Sequence, residues 1–427
     1  MQVIRVGMLG LGTVGRGVYK ILTGNQDNIT SKVGATVEIT RILVRDLSRP
    51  RPVKIDPDLL TDNPADIIES PEIDIVVEVM GGLEPTLDYV LTALKNGKSV
   101  VSANKDMVAM YGRELFAAAR ESGVDFLFEG SVGGGIPIIR PLKVCLAANR
   151  IQEIMGIING TTNYMLTKMT REGSDYQQVL AEAQQMGYAE ADPSADVGGL
   201  DAARKLAILA SIAFNTRVTL NDVYVEGIEK IGAQDIAYAN ELGYIVKLLG
   251  IAKETAEGIE ARVHPCFVPH HHPLASVNDV FNAIFVRGDA VGEAMFYGRG
   301  AGELPTGSAV AGDVLDAARN RLRGTCGINC TCYEQKMIKS IDQINSRYYI
   351  RLNVQDRPGV LASIAYAFGD KEVSLATVLQ KHTRGEQAEI VLITHQVRER
   401  NLQDSLKLVQ QLSSVYTISN VIRVEGE

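Results

Sequence analysis

Nowhere in the 427 residues does a run of about 18 apolar side chains occur, so nothing in the sequence is built to span a bilayer. The chain enters directly on Val3-Ile4-Arg5-Val6-Gly7, without a basic leader and a small-residue cleavage site, and the reading is of a protein that is not exported. Positive charge is in deficit. The net charge is −8 and no cationic stripe is visible, which excludes nucleic acid as the main partner. Cysteine is scarce and odd in number: Cys145, Cys266, Cys326, Cys330 and Cys332 read as reduced thiols of a cytoplasmic protein. What is present is a chain 46% hydrophobic, globular in composition and too long for one core, with a length that predicts about three domains.

The first twenty residues spell an apolar strand, a glycine turn and an amphipathic helix. The turn Gly10-Leu11-Gly12-Thr13-Val14-Gly15 is a GxGxxG. Its glycines allow, in order, the tight turn, close approach of a pyrophosphate to the backbone, and packing of helix on strand. The phosphate would sit on the free N–H groups of the helix N-terminus. Without a ligand the same pattern is a tight strand–helix turn. Further strands are predicted at 37–44, 73–80 and 99–103, alternating with helical stretches, which gives a parallel, doubly wound sheet. The second strand ends in Val44-Arg45-Asp46. Asp46 suits a ribose hydroxyl, as NAD(H) needs, and Arg45 suits the 2′-phosphate of NADP(H); with Arg49 and Arg51 following, NADP(H) is favoured. Two later strands run into the polar loops GGLEPT (81–86) and SANKDM (102–107), the second carrying Lys105, a ligand contact or a surface residue by position alone.

In the middle of the chain FEGSVGGGIPIIRPL (128–142) places three glycines before a helix start, a run suited to an anion, to a hard cation held by carbonyls and Glu129, or to a flexible turn. A strand ending in Asn159-Gly160-Thr161-Thr162-Asn163 reads as a capping turn into a helix. The stretch GYAEADPSADVGGLDAARK (187–205) then collects Glu190, Asp192, Asp196 and Asp201 ahead of Lys205. Asp201 and Lys205 stand four apart and share a helix face. As an exposed ion pair they contribute a few tenths of a kcal/mol. Lining a cleft, the lysine ammonium can give a proton to an alkoxide formed by carbonyl reduction, and the carboxylates can hold a cationic substrate end. Four of the six histidines fall in VHPCFVPHHHPLA, and Cys326, Cys330 and Cys332 are spaced CxxxCxC. Both are read as non-metal segments, since three adjacent histidines cannot converge on one ion and the thiols lack a fourth ligand.

From Tyr348 the pattern becomes βαββαβ, a ferredoxin-like unit, with Asp356-Arg357-Pro358-Gly359 before its first helix offering free N–H groups to a small amino acid. The expected division is a dinucleotide-binding domain at 1–130, completed by part of 296–320, a catalytic and dimerisation domain at 131–320, a loose linker at 321–346, and a regulatory domain at 347–427.

These blocks together resemble homoserine dehydrogenase in its long form with a C-terminal ACT domain. The resemblance covers nearly the whole chain and is most specific at Ala183, Gly187-Tyr188, Asp192-Pro193, Asp196-Val197, Gly199, Asp201 and Lys205. SANK, EPT, NGTTNYML and GAGELPTGSAVAGD are similar to further family blocks. It implies an α/β protein: a Rossmann-type dinucleotide-binding domain, an α+β substrate and dimerisation domain, and a ferredoxin-like ACT domain. The implied reaction interconverts L-aspartate 4-semialdehyde and L-homoserine with NADP(H) or NAD(H), on the route to threonine, methionine and isoleucine. Lys205 would be the proton donor and Lys105 a second active-site lysine near the nicotinamide. Glu190 and Asp201 would hold the substrate amino group. Gly10, Gly12, Thr13, Val14, Gly15, Arg45, Lys105 and Gly302 would meet the cofactor, although Arg299 and Glu303 put charge beside Gly302. Glu129 with the carbonyls of Val132, Gly134 and Ile136 would form a sodium site. A homodimer or homotetramer is implied, with threonine as the effector at the ACT domain. A chain ending near Asn320 is expected to keep activity and lose that response. Two rivals stand against this. An acylating semialdehyde dehydrogenase would need a nucleophilic cysteine, and Cys145 reads as buried in a helix. A non-catalytic amino-acid sensor would not need Lys205 or Glu190.

Overall fold

A computed structural model describes residues 2–328 and 330–426. They form two compact units, Met1–Ile154 with Arg204–Leu220 and Asn282–Gln335, and Met155–Ala203 with Asn221–Phe281 and Lys336–Glu427.

The first unit is built on a six-stranded parallel sheet of β1 (Val3–Leu9), β2 (Thr36–Leu43), β3 (Leu60–Thr61), β4 (Ile75–Glu78), β5 (Ser99–Ser102) and β6 (Phe126–Leu127). The order β3-β2-β1-β4-β5-β6 is that of a doubly wound nucleotide-binding sheet, with its reversal between β1 and β4. Burial on both faces is why these strands read as near-continuous apolar runs: Val6, Met8, Ile75, Val77 and Val101 form one core with Val18 and Leu22 of the Thr13–Gly24 helix. That core is closed by Val310, Val314 and Ala317 from the Glu303–Arg323 helix, some 300 residues away in sequence. The two helices touch through glycine. A Cβ on Gly17 would lie 1.9 Å from the Glu303 carbonyl oxygen, and one on Gly307 would lie 2.7 Å from the Gly17 backbone.

The triple glycine has a packing explanation. Gly134 has φ of +54°, a Cβ there would strike the Gly300 carbonyl at 2.3 Å, and the Gly135 N–H donates to the Arg299 carbonyl (3.0 Å). The run lets 133–135 press against the 299–301 turn rather than serving as a flexible hinge.

In the second unit the strands run in the order Tyr244–Thr255, Gly258–Pro269, Val415–Val424, Asn345–Gln355, Gln387–Thr394, Leu375–Arg384. The last four, with the Val360–Gly369 and Glu399–Gln411 helices, are the expected βαββαβ module around its own core of Ile350, Leu352, Ile364, Phe368, Leu402 and Val409. Its attachment differs from a loosely tethered tail. One edge of Gly258–Pro269 is shared by three partners: Ile338 opposite Ile259, Tyr224–Val225 opposite Arg262–Val263, and Arg423–Val424 opposite Cys266–Phe267. Residues 336–340 therefore belong to the sheet edge, and Lys339 is buried against Glu260 (3.1 Å).

Buried ions seal this junction. Arg262, 1% exposed, reaches Glu260 (2.6 Å) and Glu425 (2.7 Å), while Lys253 and the Ser346 hydroxyl also contact Glu425 (3.4 and 2.9 Å). Arg423 bonds Glu399 (2.8 Å) and Glu226 (3.0 Å). On the module's other flank Asp235, fully buried, accepts from Arg351 (2.8 Å), Tyr349 (3.1 Å) and Asn420 (2.8 Å). Removing one partner of such a pair leaves an uncompensated buried charge, at about 3–5 kcal/mol. The tail is a structural part of its unit, and a chain cut near Asn320 loses strand partners and counter-ions together.

Candidate active site

Ligands of open parallel sheets bind outside the carboxyl ends of the strands, at the point where strand order reverses. The Gly10–Gly15 turn follows β1 there, and the loops after β4 and β5 lie on the same edge. Gly10 takes φ of +106° and would meet the Met80 backbone at 3.0 Å if it carried a Cβ. A Cβ on Gly15 would lie 2.6 Å from the Gly10 carbonyl oxygen. Gly12 is different: a Cβ there meets nothing within 4 Å, and the residue is exposed with an ordinary negative φ. The fold does not need glycine at 12, and the missing side chain leaves this backbone open to a group that approaches from outside. Thr13 and Val14 open the helix with N–H groups at its positive end. Gly302, with φ of +136°, caps the Glu303–Arg323 helix beside this one, and Glu303 is paired with Arg16 (3.1 Å) and Lys20 (2.5 Å). The charge at 303 is thus neutralised within the chain.

At the end of β2, the Asp46 carboxylate accepts from the Ser48 hydroxyl (2.7 Å) and N–H (2.9 Å), and these bonds hold it below the usual carboxylate range. Arg51 donates to the Asp46 carbonyl (2.5 Å) and so closes the turn. Arg45 stays exposed. The acidic residue is engaged by its own loop while the basic one faces out.

Lys105, half-buried, is the first residue of the Lys105–Ser122 helix, and its setting is built by residues that sequence reasoning passed over. Asn104 caps the helix by accepting from the Met107 N–H (3.1 Å) and donates to the Gly82 carbonyl (2.6 Å). Beneath it, Glu78 ends β4 fully buried. Its carboxylate accepts from the Met80 and Gly81 N–H groups (both 3.0 Å) and from the Ser102 hydroxyl (2.6 Å), and Ser102 Oγ in turn accepts the Asn104 N–H (3.0 Å). Burial pushes Glu78 above the usual carboxylate range, opposed by these hydrogen bonds. One buried acid thus sets both loops around Lys105. Its signal was an acidic residue inside an otherwise apolar parallel strand. Arg204 pairs with Asp106 (2.9 Å), so the neighbours of Lys205 and Lys105 are in contact and the two lysines share one region.

Asp201 and Lys205 lie one turn apart on the Leu200–Ala213 helix, as the spacing predicted. Asp201 is buried, and Asn159 draws it to Asp196 by donating from one amide nitrogen to both carboxylates (2.9 and 2.7 Å). The Asn159 carbonyl oxygen caps the next helix at the Thr162 N–H (2.9 Å), so this residue is both cap and bridge. Glu190 is exposed on a loop held by Gln184, which donates to the Glu190 carbonyl (3.1 Å), and by Thr161, which donates to the Tyr188 carbonyl (2.7 Å). Asp192 accepts the Ser194 N–H (3.1 Å) and caps a short turn.

The proposed cation ligand Glu129 has another use. Buried, it accepts the N–H groups of Ile138 (2.5 Å), Ile139 (2.8 Å) and Arg140 (2.7 Å) with its two oxygens. Its own N–H donates to Asp313 (2.8 Å), which also takes Arg140 (3.1 Å). Burial and the Glu129 charge push Asp313 up to about 7. Both Glu129 oxygens are occupied by backbone donors, so the set Glu129, Val132, Gly134 and Ile136 does not fit a sodium ion built around that carboxylate. Among the described residues no group of three His, Cys, Asp or Glu side chains is placed to hold a metal. Cys145, expected to be buried, is exposed at the end of a single wide turn, Pro141–Cys145.

Comparison with known proteins decides the family. The profile described as homoserine dehydrogenase matches residues 137–315, that of the homoserine dehydrogenase NAD-binding domain residues 10–129, and that of the ACT domain residues 348–414. The chain belongs to the homoserine dehydrogenase family. It is 46% identical to the homoserine dehydrogenase of Bacillus subtilis over all of this chain and 99% of that one. Identity to the Corynebacterium glutamicum homoserine dehydrogenase is 47%, over 99% of this chain and 96% of that one. A crystal structure of a Thiobacillus denitrificans homoserine dehydrogenase superposes with a TM-score of 0.93 at 42% identity, covering 100% of this chain and 99% of that one. The enzyme is therefore an oxidoreductase with a nicotinamide-cofactor domain and a C-terminal ACT domain, and no acylating cysteine is required of Cys145. No helix among the described residues is long and apolar enough to cross a membrane.

Proposed function

We propose that this homoserine dehydrogenase reduces L-aspartate 4-semialdehyde to L-homoserine, and runs the reverse reaction, with Lys205 as the general acid and base at the carbonyl oxygen. The supporting observation is the Arg204–Asp106 pair, which joins the helix that carries Lys205 to the first turn of the helix that begins at Lys105, after β5 of the sheet that holds the glycine turn. When bound, the nicotinamide supplies or accepts the hydride. Lys205 delivers a proton to the oxygen as the carbonyl becomes an alcohol and withdraws it in the other direction. Lys105, at the start of the helix that Asn104 caps, adds a second positive charge where negative charge develops. Asp201, oriented by Asn159, and Glu190, at the tip of the acidic loop, hold the substrate ammonium group. Glu190→Gln should raise KM for the amino-bearing substrate with little change in kcat, because it removes binding common to ground and transition states; an unchanged KM contradicts that role.

The preferred cofactor in this proposal is NADPH, with Arg45 on the 2′-phosphate and the Asp46 carboxylate engaged by Ser48. The place of the reaction is the branch of amino-acid synthesis that leads to threonine, methionine and isoleucine, in a cytoplasmic homodimer or homotetramer. For regulation, a cavity of about 380 Å³ lies at the turn ahead of the first helix of the ACT module, lined by Asp356, Arg357, Gly359, Gln380 and Ile390 among others. Its charged and amide groups, with Val360, Leu361 and Ile390 beside them, suit a small zwitterion, and threonine is the proposed effector. Initial rates with NADPH and with NADH, each with and without threonine, test the cofactor and effector assignments.

A further inference from the structure

The three thiols that follow the Glu303–Arg323 helix do not share one environment. Cys326 donates to the Gly123 carbonyl (3.0 Å), and burial with the nearby Asp125 charge pushes it above the usual thiol range. Cys330 is half-buried and accepts the Cys332 N–H at its sulfur (3.4 Å). Cys332 itself is exposed. Behind the pair lies Lys143, 8% exposed, with its ammonium 4.6 Å from the centre of the Phe128 ring and donating to the Ile328 carbonyl (3.1 Å). Desolvation lowers Lys143 to about 8, and the facing groups that oppose this are, in order, Cys330, Asp313, Cys332 and Glu129. Hydrogen bonds from Cys332, then the charges of Lys143 and Arg217, pull Cys330 below the ordinary thiol range.

We propose that Cys330 and Cys332 form an oxidisable dithiol, with Cys330 the attacking thiolate and Cys332 the resolving thiol, and with a hydroperoxide as oxidant. In the first step the Cys330 sulfur attacks the terminal oxygen of R–O–OH. An S–O bond forms, the O–O bond breaks, and the departing alkoxide takes a proton, giving R–OH and a sulfenic acid. In the second step the Cys332 thiol attacks the sulfenic sulfur. The S–S bond forms, the S–O bond breaks, and hydroxide leaves with the thiol proton as water. Two thiols are oxidised and one hydroperoxide is reduced. A bridge across a single intervening residue is strained, which places it among the readily reduced, switchable disulfides rather than the structural ones.

The position gives the bridge a mechanical consequence. Two residues beyond Cys332, the Glu334 N–H donates to the Asn215 carbonyl (2.9 Å), and Glu334 pairs with Thr216, just past the helix that carries Lys205. Arg217 in turn donates to the Met110 carbonyl in the helix that begins at Lys105. Oxidation acts on a segment tied to both lysine-bearing helices.

The test uses the full-length reduced enzyme, treated with hydrogen peroxide, quenched with catalase and mapped by mass spectrometry. The expected result is a peptide holding Cys330 and Cys332 that is lighter by two hydrogen atoms and restored by dithiothreitol, with Cys145 and Cys326 still free. Cys332→Ser, at an exposed site, should stop at a Cys330 sulfenic acid trapped by dimedone. Iodoacetamide at neutral pH should alkylate Cys330 about tenfold faster than the exposed Cys145, and Lys143→Gln should narrow that ratio. If Lys143→Gln does not fold, the wild-type ratio and the Cys332→Ser trapping still decide. Equal alkylation of Cys330 and Cys145, or peroxide oxidation falling first on Cys145 or Cys326, overturns the proposal.

Discussion

Changing Glu425 to Gln removes one charge from the ionic junction and keeps its shape. Arg262 is 1% exposed and holds two carboxylates, Glu260 at 2.6 Å and Glu425 at 2.7 Å, so the substitution halves its counter-charge without opening a cavity. Lys253 loses one contact as well, but at 29% exposure water replaces most of it. Breaking a buried pair outright costs about 3–5 kcal/mol; because Glu260 remains, the loss should fall at the lower end, about 3 kcal/mol. The sign with pH is fixed. Burial pushes the Glu425 carboxyl up, but Arg262 and Lys253 outweigh it, and the folded-state value lies well below the usual carboxylate range. A group whose folded value is depressed contributes stability above its unfolded value of about 4.3 and loses it as pH falls through the folded value. The wild type should thus exceed Glu425→Gln by about 3 kcal/mol at neutral pH, and the gap should close on acidification below about pH 4. Urea unfolding at several pH values, with the folded baseline checked by turnover, measures both. A variant as stable as the wild type at pH 7, or a gap that widens in acid, would show that the Glu425 charge does not stabilise this junction. The same argument predicts that a chain ending near Asn320 is recovered unfolded or aggregated, so effector response is better probed by point changes.

Three further outcomes follow from other parts of the molecule. Arg45→Ala should cost NADPH about 1–3 kcal/mol in kcat/KM and leave NADH nearly unaffected; equal losses would show that Arg45 does not pair with the 2′-phosphate. Asp356→Ala, which removes the acceptor of Gln380 (3.3 Å) at the rim of the ACT cavity, should raise the threonine concentration for half-inhibition several-fold at an unchanged basal rate, within the 1–3 kcal/mol usual for coupling between sites. Steady-state rates against threonine check it, and a basal rate that falls with inhibition intact contradicts the assignment. Gly12→Val should fold normally, since a side chain at 12 meets no protein atom, yet weaken cofactor binding at least tenfold by fluorescence titration; loss of folding would instead make Gly12 a structural glycine.

The parts of this chain that were legible in its sequence are those set by local rules. Gly10 and Gly15 are forced by neighbours a few residues or one strand away, and the Asp201–Lys205 spacing is a property of any helix. The βαββαβ order of the tail followed from period alone. Contacts between distant segments were not legible. Nothing near Lys105 or Lys205 announces that Asp106 meets Arg204. Cys145 was misjudged because PLKVCLAANR has enough apolar residues for a core helix, while the backbone forms one wide turn that leaves the thiol outside. The docking of the tail had a signal that was available: Glu260 and Arg262 alternate with apolar residues in Gly258–Pro269, and charges inside a buried strand need partners from elsewhere. Those partners, Lys339 and Glu425, come from the segment read as a linker and from the end of the chain.

Lys205 is proposed to move the proton at the carbonyl oxygen, and Lys205→Ala is the sharpest probe of that role. Single-turnover and steady-state oxidation of NADPH with aspartate semialdehyde should show kcat lowered by about 10²-fold or more, while the dissociation constant for NADPH, read by quenching or calorimetry, stays within about twofold of the wild type. A variant that binds the cofactor and turns over at a near-normal rate would contradict the account.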